Sequence, residues 1–467
     1  MFKRVTAKRG TLIITNIITQ ALHTMLRNPR SAARPVTFNM LAMAAACCIW
    51  LMSCGARPSP PVRASNAAQR APFSCIVVGG GPDREHNQVA LESNVRYVSR
   101  LLPPGSYLEV LFGDGANRGR NVQFTDGKNR TRYRRTILAQ IDGPSSPAAF
   151  RRAITAVNGS AASPLLLYFT GHGSPDDGDY TDNDYDMWND EGLSVSDLRT
   201  QMDRLSPERP KALVMVECFS GAFSDLVFAG APRPAAKNAG GTGKSAGTTA
   251  APPARIEDRP LRPNFCGFFA SLANREAAGC TPELNEAEYH DFTSYFFAAL
   301  SGRDRLGRRV TGADFNHDGR VGMDEAYAYT LLHDESIDTP VSTSDTFLRS
   351  VCDLRDDDIF ATPYSTVLQE ATPAQATVLA GLSRKLSLTG EDRLKEAYGE
   401  MSNRTRSEDE DNEDEAAEEN TALWLRFVRT AKTVVLTREV TLHGTPQRQA
   451  ELKRLQKMEQ ASLPLAG

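Results

Sequence analysis

Short apolar segments alternate with stretches of helical periodicity over residues 73–220. The segments CIVVGG (75–80), YLEVLFG (107–113), PLLLYFT (164–170) and KALVMVECF (211–219) each predict a buried strand. The stretches between them repeat apolar residues three and four positions apart, which predicts amphipathic helices. Strands that are apolar throughout, separated by such helices, are typical of a parallel sheet covered on both faces. The pattern therefore predicts the α/β class.

The intervening helices are marked by their apolar faces and by their first residues. Ser146 and Pro147 are typical of a helix start, and Ser194 followed by Asp197 resembles a capping box. The apolar residues that define the three helical faces are Leu91, Val95, Val98 and Leu102, then Phe150, Ile154 and Val157, then Leu198, Met202 and Leu205.

Two chemically suggestive segments follow the third and fourth predicted strands. In parallel sheets ligands bind beyond the carboxyl ends of the strands. His172 in GHGS and Cys218 in ECFSG occupy these positions, 46 residues apart. A cysteine is a strong nucleophile as the thiolate, and a nearby imidazole can accept its proton and later protonate a leaving amine. The alternative is a structural histidine and a buried free thiol.

The blocks YFTGHGS and VECFSGAF resemble those of the caspase-like cysteine peptidases, and most closely the bacterial branch of the legumain family. The resemblance extends from about Phe73 to Ser350 and includes GGGPDREHNQVALESNV and CGFFASLANREAAGC. It implies a three-layer sandwich with a mostly parallel central sheet. It also implies that Cys218 is the nucleophile, His172 the general acid and base, and the N–H groups of Gly173 and Cys218 the oxyanion hole, with no metal in the chemistry.

The resemblance also implies a specificity pocket built from charged and polar side chains. The residues in comparable regions are Arg84, His86, Asn87, Glu217 and Asp291. The plant and animal enzymes have an acid two positions before the nucleophile, where this chain has Val216. The family preference for asparagine is therefore not expected to carry over unchanged, and each of the five residues has a solvated surface position as its alternative.

The segment DFNHDGRVGMDE matches the EF-hand loop at every ligand position but one. Its expected ligands are Asp314, Asn316, Asp318, the carbonyl of Arg320, and Glu325. Gly319 permits the sharp turn, and at the ninth position Gly322 leaves the ligand to a water. Residues 314–325 therefore predict a structural Ca²⁺ site, with a metal-free turn as the alternative.

An acidic cluster follows the candidate histidine. Its spacing fits no metal loop, so a solvated insertion at the rim of the site is the default interpretation. The cluster consists of Asp176, Asp177, Asp179, Asp182, Asp184, Asp186, Asp190 and Glu191.

Residues 1–53 have the features of an export signal. They contain seven Lys and Arg and no acid, and an apolar run (40–52) leads to LMSC, which resembles a bacterial lipobox. On this interpretation Cys54 is lipidated, residues 54–72 form a tether, and the protein lies at the outer membrane of a bacterial envelope. A plain secretory signal or an uncleaved anchor is the alternative, and translation starting at Met25 is a further hypothesis.

The net charge and the number of cysteines differ between the full chain and the chain without the predicted signal at residues 1–53. The full chain has a net charge of −3, but the remaining 47 basic and 57 acidic residues give −10, which excludes a cationic nucleic-acid binder. Besides Cys218, the cysteines Cys75, Cys266, Cys280 and Cys352 remain, enough for up to two disulfides of undetermined pairing in an oxidising compartment.

The rest of the chain divides by composition. Within a peptidase domain of residues 73–362, residues 231–264 are rich in Ala, Gly, Pro and Thr and predict a flexible linker, either a processing site or an inert insertion. Residues 363–467 predict a helical C-terminal extension, with a disordered acidic run at 407–420. We expect its later helices to form a hairpin that packs on the peptidase domain, with contact to lipid or a partner as the alternative.

These features together predict a secreted, lipid-anchored thiol protease. It would be an endopeptidase that cleaves peptide or protein substrates through an acyl-enzyme, with the membrane contacted through the lipid anchor. Transpeptidation is a related outcome if an amine arrives before water. The other classes are an inactive, calcium-stabilised binding lipoprotein and a structural lipoprotein that acts through its C-terminal helices.

Overall fold

A sheet of buried strands forms the centre of the molecule. The computed structural model describes residues 71–116, 118–158, 163–176, 180–230, 259–408 and 415–466, all within one compact unit. The strands in chain order are β1 (Ser74–Gly80), β2 (Tyr107–Phe112), β3 (Val122–Thr125), β4 (Thr131–Arg134), β5 (Leu165–Ser174), β6 (Asp184–Met187), β7 (Glu191–Ser194), β8 (Lys211–Val216), β9 (Phe265–Phe269) and β10 (Val341–Ser342).

Helices cover the sheet and make up the C-terminal region. In chain order they are α1 (Val89–Arg100), α2 (Pro147–Asn158), α3 (Val195–Met202), α4 (Phe292–Ser301), α5 (Met323–His333), α6 (Thr343–Val351), α7 (Asp356–Phe360), α8 (Tyr364–Glu370), α9 (Pro373–Lys385), α10 (Arg393–Glu408), α11 (Glu415–His443) and α12 (Pro446–Glu459). The 3-10 helices are Ser220–Val227 and Glu286–Glu288.

The strand order in the main sheet is β10-β9-β8-β5-β1-β2. All neighbours in this order pair in parallel except β9 and β10. β1, β8 and β9 are buried at every position, because helices cover both faces. The predicted α/β class with a mostly parallel central sheet is confirmed, as is the helical C-terminal region.

Alternate residues of β5 show which helix covers which face. The Tyr168 hydroxyl hydrogen-bonds to Thr293 of α4, and Thr170 accepts a hydrogen bond from Asn94 of α1. Phe169 points to the other face and packs edge-on against Phe150 of α2, with ring centroids 5.4 Å apart. α1 and α4 therefore lie on one face of the sheet and α2 on the other.

The predicted strands and helices are present, with shifted ends. The strand predicted for residues 211–219 ends at Val216, while β5 continues past Thr170 to Ser174 because it pairs there with β6. The Ser194 hydroxyl caps α3 by accepting from the Asp197 N–H at 3.1 Å, and Leu205 lies beyond this helix. Leu102 likewise lies beyond the end of α1.

The acidic cluster after His172 forms a hairpin in its described part. Asp184 and Asp186 lie in β6, which pairs with both β5 and β7. Both Asp186 oxygens accept from the Ser174 hydroxyl at 2.9 Å, and burial raises the pKa of the Asp186 carboxyl. Asp184 and Asp186 are thus half-buried in a hairpin, whereas Asp176, Asp190 and Glu191 are exposed, as the expectation of a solvated rim has them.

The C-terminal helices pack on the body of the protein. α11 contacts α6, α8, α9 and α10, and α12 contacts α6 and β9. Within the acidic run predicted to be disordered, residues 415–420 are helical because α11 begins at Glu415, while residues 409–414 lie outside the described residues. Arg426 and Arg429 form ion pairs with Asp334 and Asp345 of the body of the protein.

Several predicted segments lie outside the described residues. They are the signal at 1–53 with Cys54, residues 54–70 of the tether, residues 231–258 of the linker, and Asp177 and Asp179. Among the described helices, none is both long and apolar enough to cross a membrane.

The cysteines of the described residues do not form disulfides. Cys75, Cys218, Cys266, Cys280 and Cys352 are all free thiols. Cys75 in β1 and Cys266 in β9 are separated by β5 and β8, which places them about 14 Å apart across the sheet, whereas a disulfide joins Cα atoms less than about 7 Å apart. The expectation of up to two disulfides is not met by these residues.

Phe169 gives a direct test of the sheet core. It is fully buried between Phe150 and the ring of Tyr185, 5.2 Å away. We expect Phe169→Ala to lower the free energy of unfolding in urea by about 3–5 kcal/mol, because no neighbouring side chain can fill the cavity. Leu306→Ala, at a 48% exposed position, should change it by less than about 0.5 kcal/mol, and equal losses would contradict the assigned core.

Candidate active site

The carboxyl ends of β5 and β8 bring His172 and Cys218 to the same edge of the sheet. The two strands pair in parallel up to Thr170 and Val216, and each candidate residue lies two positions further along. An ideal Cβ at Gly173 would lie 2.2 Å from the carbonyl oxygen of Cys218. Only glycine fits at position 173, so the two chain segments are in close contact here.

His172 is oriented by the loop between β1 and α1. Its Nε2 lies 2.9 Å from the carbonyl oxygen of His86 and 2.9 Å from Oε1 of Gln88. A carbonyl oxygen only accepts, so Nε2 carries the proton and the lone pair is on Nδ1. Burial lowers the pKa of the His172 imidazole. The ring is therefore a neutral base whose free nitrogen is Nδ1.

Cys218 is held by a loop that follows β9. The Ala277 N–H donates to Sγ at 3.3 Å, and Sγ lies 3.7 Å from the Ala277 carbonyl oxygen. The next residue, Phe219, has a φ of 62°, a left-handed conformation that is costly for a bulky side chain, and its N–H donates to the Arg275 carbonyl at 2.8 Å. The turn at Phe219 ends the direction of β8 immediately after Cys218.

The Cys218 thiol is protonated in the resting protein. Burial raises its pKa to about 12, and the Ala277 N–H offsets this only in part. Since the His172 pKa is lowered, both groups are neutral at pH 7. A thiolate then forms only when His172 accepts the proton.

The loop over Cys218, residues 271–280, was not recognised as a site element from sequence. An ideal Cβ at Gly221 would lie 2.6 Å from the Ser271 carbonyl oxygen, and the Asn183 side chain binds the carbonyls of Phe219 and Ala273. Cys280 donates to the Gly171 carbonyl at 3.3 Å. The only sequence signal for this loop is the block CGFFASLANREAAGC.

Three of the five predicted pocket residues lie in the β1 to α1 loop, with different surroundings. The His86 ring is 5.8 Å from the His172 ring, and its Nδ1 contacts Asp83 at 2.9 Å. The Asn87 side chain is fully buried and binds Gly81 N–H and the Asn121 carbonyl. Arg84 stacks on Tyr133 and is exposed.

The other two predicted pocket residues are buried on opposite faces of the sheet. Asp291 caps α4 by accepting from Ser294 N–H at 2.7 Å, and it also binds Asn94 and Arg305. Glu217 alternates with Cys218 and therefore faces the side of the sheet covered by α2, where burial raises the pKa of its carboxyl. The five side chains therefore do not share one pocket.

A cavity of about 680 Å³ opens beside the 277–281 segment. Its lining carries no Lys or Arg, so its field favours cationic over anionic groups. The ionisable residues that line it are Glu283, Glu288, His290, Asp291, Glu335, Glu418 and Glu419. Among the predicted pocket residues, Asp291 alone belongs to this lining.

The EF-hand-like loop turns its carboxylates inward. Asp314 accepts from Asp318 and Gly319 N–H at 3.1 and 3.0 Å, and buried Glu325 accepts from Phe315 and Asn316 N–H at 2.8 and 3.0 Å. No group of three or more His, Cys, Asp or Glu is arranged to hold a metal in the described part of the chain. The full set of hard oxygen donors still fits Ca²⁺, because it includes an amide and a carbonyl oxygen.

Comparison with known proteins gives little guidance. No family model matches the chain, and no curated protein matches it. Of 26 matching chains of solved structure, one is the crystal structure of protein GSU0716 from Geobacter sulfurreducens, a structural genomics target. It is 12% identical, with a TM-score of 0.31 over 58% of this chain and 92% of that chain. A likeness this weak indicates no function.

The raised pKa of Cys218 predicts how the thiol reacts in the absence of substrate. We expect its alkylation by iodoacetamide to accelerate about tenfold per pH unit from pH 6 to 9 without a plateau, because the thiolate fraction still grows there. Peptide mapping by mass spectrometry measures the rate at Cys218. The urea-unfolded protein is the control and should approach a plateau near pH 9. A plateau below pH 7 in the folded protein would show a preformed thiolate instead.

Proposed function

We propose that the protein is a caspase-like cysteine endopeptidase, similar to the legumain family, exported and anchored by a lipid on Cys54 at the bacterial outer membrane. The observation that supports the peptidase most directly is the meeting of the β5 and β8 ends, with Gly173 against the Cys218 carbonyl. A neutral imidazole with a free Nδ1 lies at one strand end and a nucleophilic thiol at the other. Peptide and protein chains are the proposed substrates.

Acylation needs one base and one nucleophile. The Cys218 thiol proton moves to Nδ1 of His172 as Sγ attacks the scissile carbonyl carbon, and the imidazolium forms with Nε2–H bound to the His86 carbonyl. The tetrahedral oxygen takes the negative charge, and the N–H groups of Gly173 and Cys218 are the proposed donors to it. As the C–N bond breaks, the Nδ1 proton moves to the leaving amine, which leaves a thioester.

Deacylation reverses these roles. His172 accepts a proton from water, the hydroxide oxygen attacks the thioester, and the proton returns to the Cys218 sulfur as the carboxylic acid product leaves. An amine in place of water would give a new peptide bond by the same steps. Gly171, Gly173 and Gly221 let the chain's own segments meet at this edge, since an ideal Cβ would lie 2.6 Å from the Tyr185 hydroxyl oxygen, 2.2 Å from the Cys218 carbonyl oxygen and 2.6 Å from the Ser271 carbonyl oxygen, respectively.

We also propose that the 314–325 loop binds Ca²⁺ as a structural ion. Asp314, Asn316, Asp318, the Arg320 carbonyl and Glu325 would hold it. The loop lies beside the C-terminal end of the chain, since the Met323 N–H donates to the Ala461 carbonyl at 3.2 Å. The ion would therefore stabilise the contact between α5 and the segment after α12.

Labelling with a peptidyl acyloxymethyl ketone tests the proposed reaction. We expect covalent modification of Cys218 in the wild type, none at this position in Cys218→Ala, and a rate lowered by about 10²–10⁴ in His172→Ala, because the general base is lost. His443→Ala, at an exposed position at the end of α11, is the matched control and should react like the wild type. Labelling of Cys218 that does not depend on His172 would rule out the dyad.

Calcium titration monitored by thermal unfolding tests the ion site. At a free Ca²⁺ concentration about 100 times the dissociation constant, we expect about 2.7 kcal/mol of stabilisation. Asp314→Ala and Glu325→Gln should remove this gain, whereas Asp358→Asn, at an exposed acidic position, should retain it. An unfolding temperature that does not respond to Ca²⁺ in the wild type would exclude the site.

A further inference from the structure

Arg426, in the middle of α11, is a buried cation that donates to three backbone carbonyls and also lies 3.8 Å from a carboxylate oxygen of buried Asp334. Its Nε donates to the Asp338 carbonyl at 2.7 Å, Nη2 donates to the Ser336 carbonyl at 2.8 Å, and Nη1 donates to the Asp334 carbonyl. The residue is 1% exposed. One guanidinium therefore fixes the path of the 334–338 segment through its rigid fork of donors.

The 334–338 segment in turn holds two other elements through the carboxylate of Asp338. Oδ1 accepts from the Ala278 N–H at 2.7 Å, and Oδ2 accepts from the Phe292 N–H at 2.9 Å. Phe292 is the first residue of α4, and Asp338 is fully buried. The carboxylate therefore ties the loop containing Ala278 to the start of α4.

Ala278 directly follows the residue that contacts the nucleophile. The Ala277 N–H donates to Sγ of Cys218, and its carbonyl oxygen is the other polar contact of that sulfur. A shift of the Ala277–Ala278 peptide changes the position and the hydrogen bonding of the thiol. The contacts form a continuous path from α11 to Cys218.

We propose that Arg426 and Asp338 are positioning residues for Cys218, so that the C-terminal helical region is a component of the catalytic centre. This inference rests on the proposed function for its kinetic consequence. Its structural part, restraint of the 277–280 segment, is measurable without any substrate.

The test compares Asp338→Asn and Arg426→Gln with Arg429→Gln in the full chain. Asp338→Asn keeps the size of the side chain but offers an N–H₂ group to one of the two amides, so one restraint is lost. Arg429 lies one helical turn from Arg426 and forms an ion pair with buried Asp345, away from the 277–280 segment. Arg429 is half-buried, and its substitution therefore controls for loss of an ion-paired arginine from the same helix.

Two readouts are taken at a temperature where circular dichroism shows every variant folded. We expect the maximal rate of Cys218 modification by the acyloxymethyl ketone to fall at least tenfold in Asp338→Asn and Arg426→Gln, with the half-saturating concentration unchanged. Hydrogen exchange of the peptide containing Ala277–Cys280 should accelerate at least tenfold in the same two variants. Arg429→Gln should stay within about twofold of the wild type in both measurements.

Wild-type exchange and wild-type labelling in both Asp338→Asn and Arg426→Gln would overturn the inference. Equal effects in Arg429→Gln would also overturn it, because they would indicate general loosening of the interface. If Cys218 of the wild type shows no His172-dependent labelling, the peptidase proposal fails, and the exchange readout alone then decides whether α11 restrains the 277–280 segment.

Discussion

The parallel pairing of β5 with β8 is the constraint on which the candidate site depends. Their register runs without interruption from Leu165 opposite Lys211 to Thr170 opposite Val216. A slip of one residue would turn every side chain of one strand to the opposite face and separate His172 from Cys218. The register is fixed by specific packing on each face, with Tyr168 bonded to Thr293 on one face and Phe169 packed against Phe150 on the other. Hydrophobic packing in the sheet, away from the candidate site, therefore sets the relative position of His172 and Cys218.

The sequence was sufficient to predict the strands that carry this register, because their apolar runs are continuous. It was not sufficient for the extension of β5 to Ser174 or for β6, because the extension (GHGS) has no apolar run, β6 (DYDM) is only four residues long, and the two are held in strands by pairing with each other. The sequence was also not sufficient to place the residues predicted for a specificity pocket. Asn87 and Asp291 have the expected chemistry, but their polar atoms satisfy buried backbone and side-chain partners.

The C-terminal helices show a second limit of sequence interpretation. The helical character of residues 363–467 was predicted correctly, but the sequence assigned the basic residues of α11 no defined partner. Arg426 reaches carbonyls about 90 residues earlier in the chain, and Arg429 pairs with Asp345. Contacts between residues so far apart in sequence leave no pattern in the sequence around either residue. They form only when the folded body presents several carbonyl oxygens at one point. The predicted domain boundary at residue 363 is based on composition, whereas these contacts join the residues on its two sides.

Burial sets the resting protonation state of both candidate residues. A thiolate is the species that oxidants attack, and susceptibility to oxidation follows thiolate character and exposure. Here burial raises the pKa of Cys218 and lowers that of His172, so that the proton stays on sulfur in the resting protein. The same burial makes proton transfer to His172 costly, and the His86 carbonyl offsets that cost by binding the imidazolium as it forms. A buried thiol that keeps its proton is therefore less open to oxidation than an exposed thiolate, which is the property that the proposed export to an oxidising compartment would require.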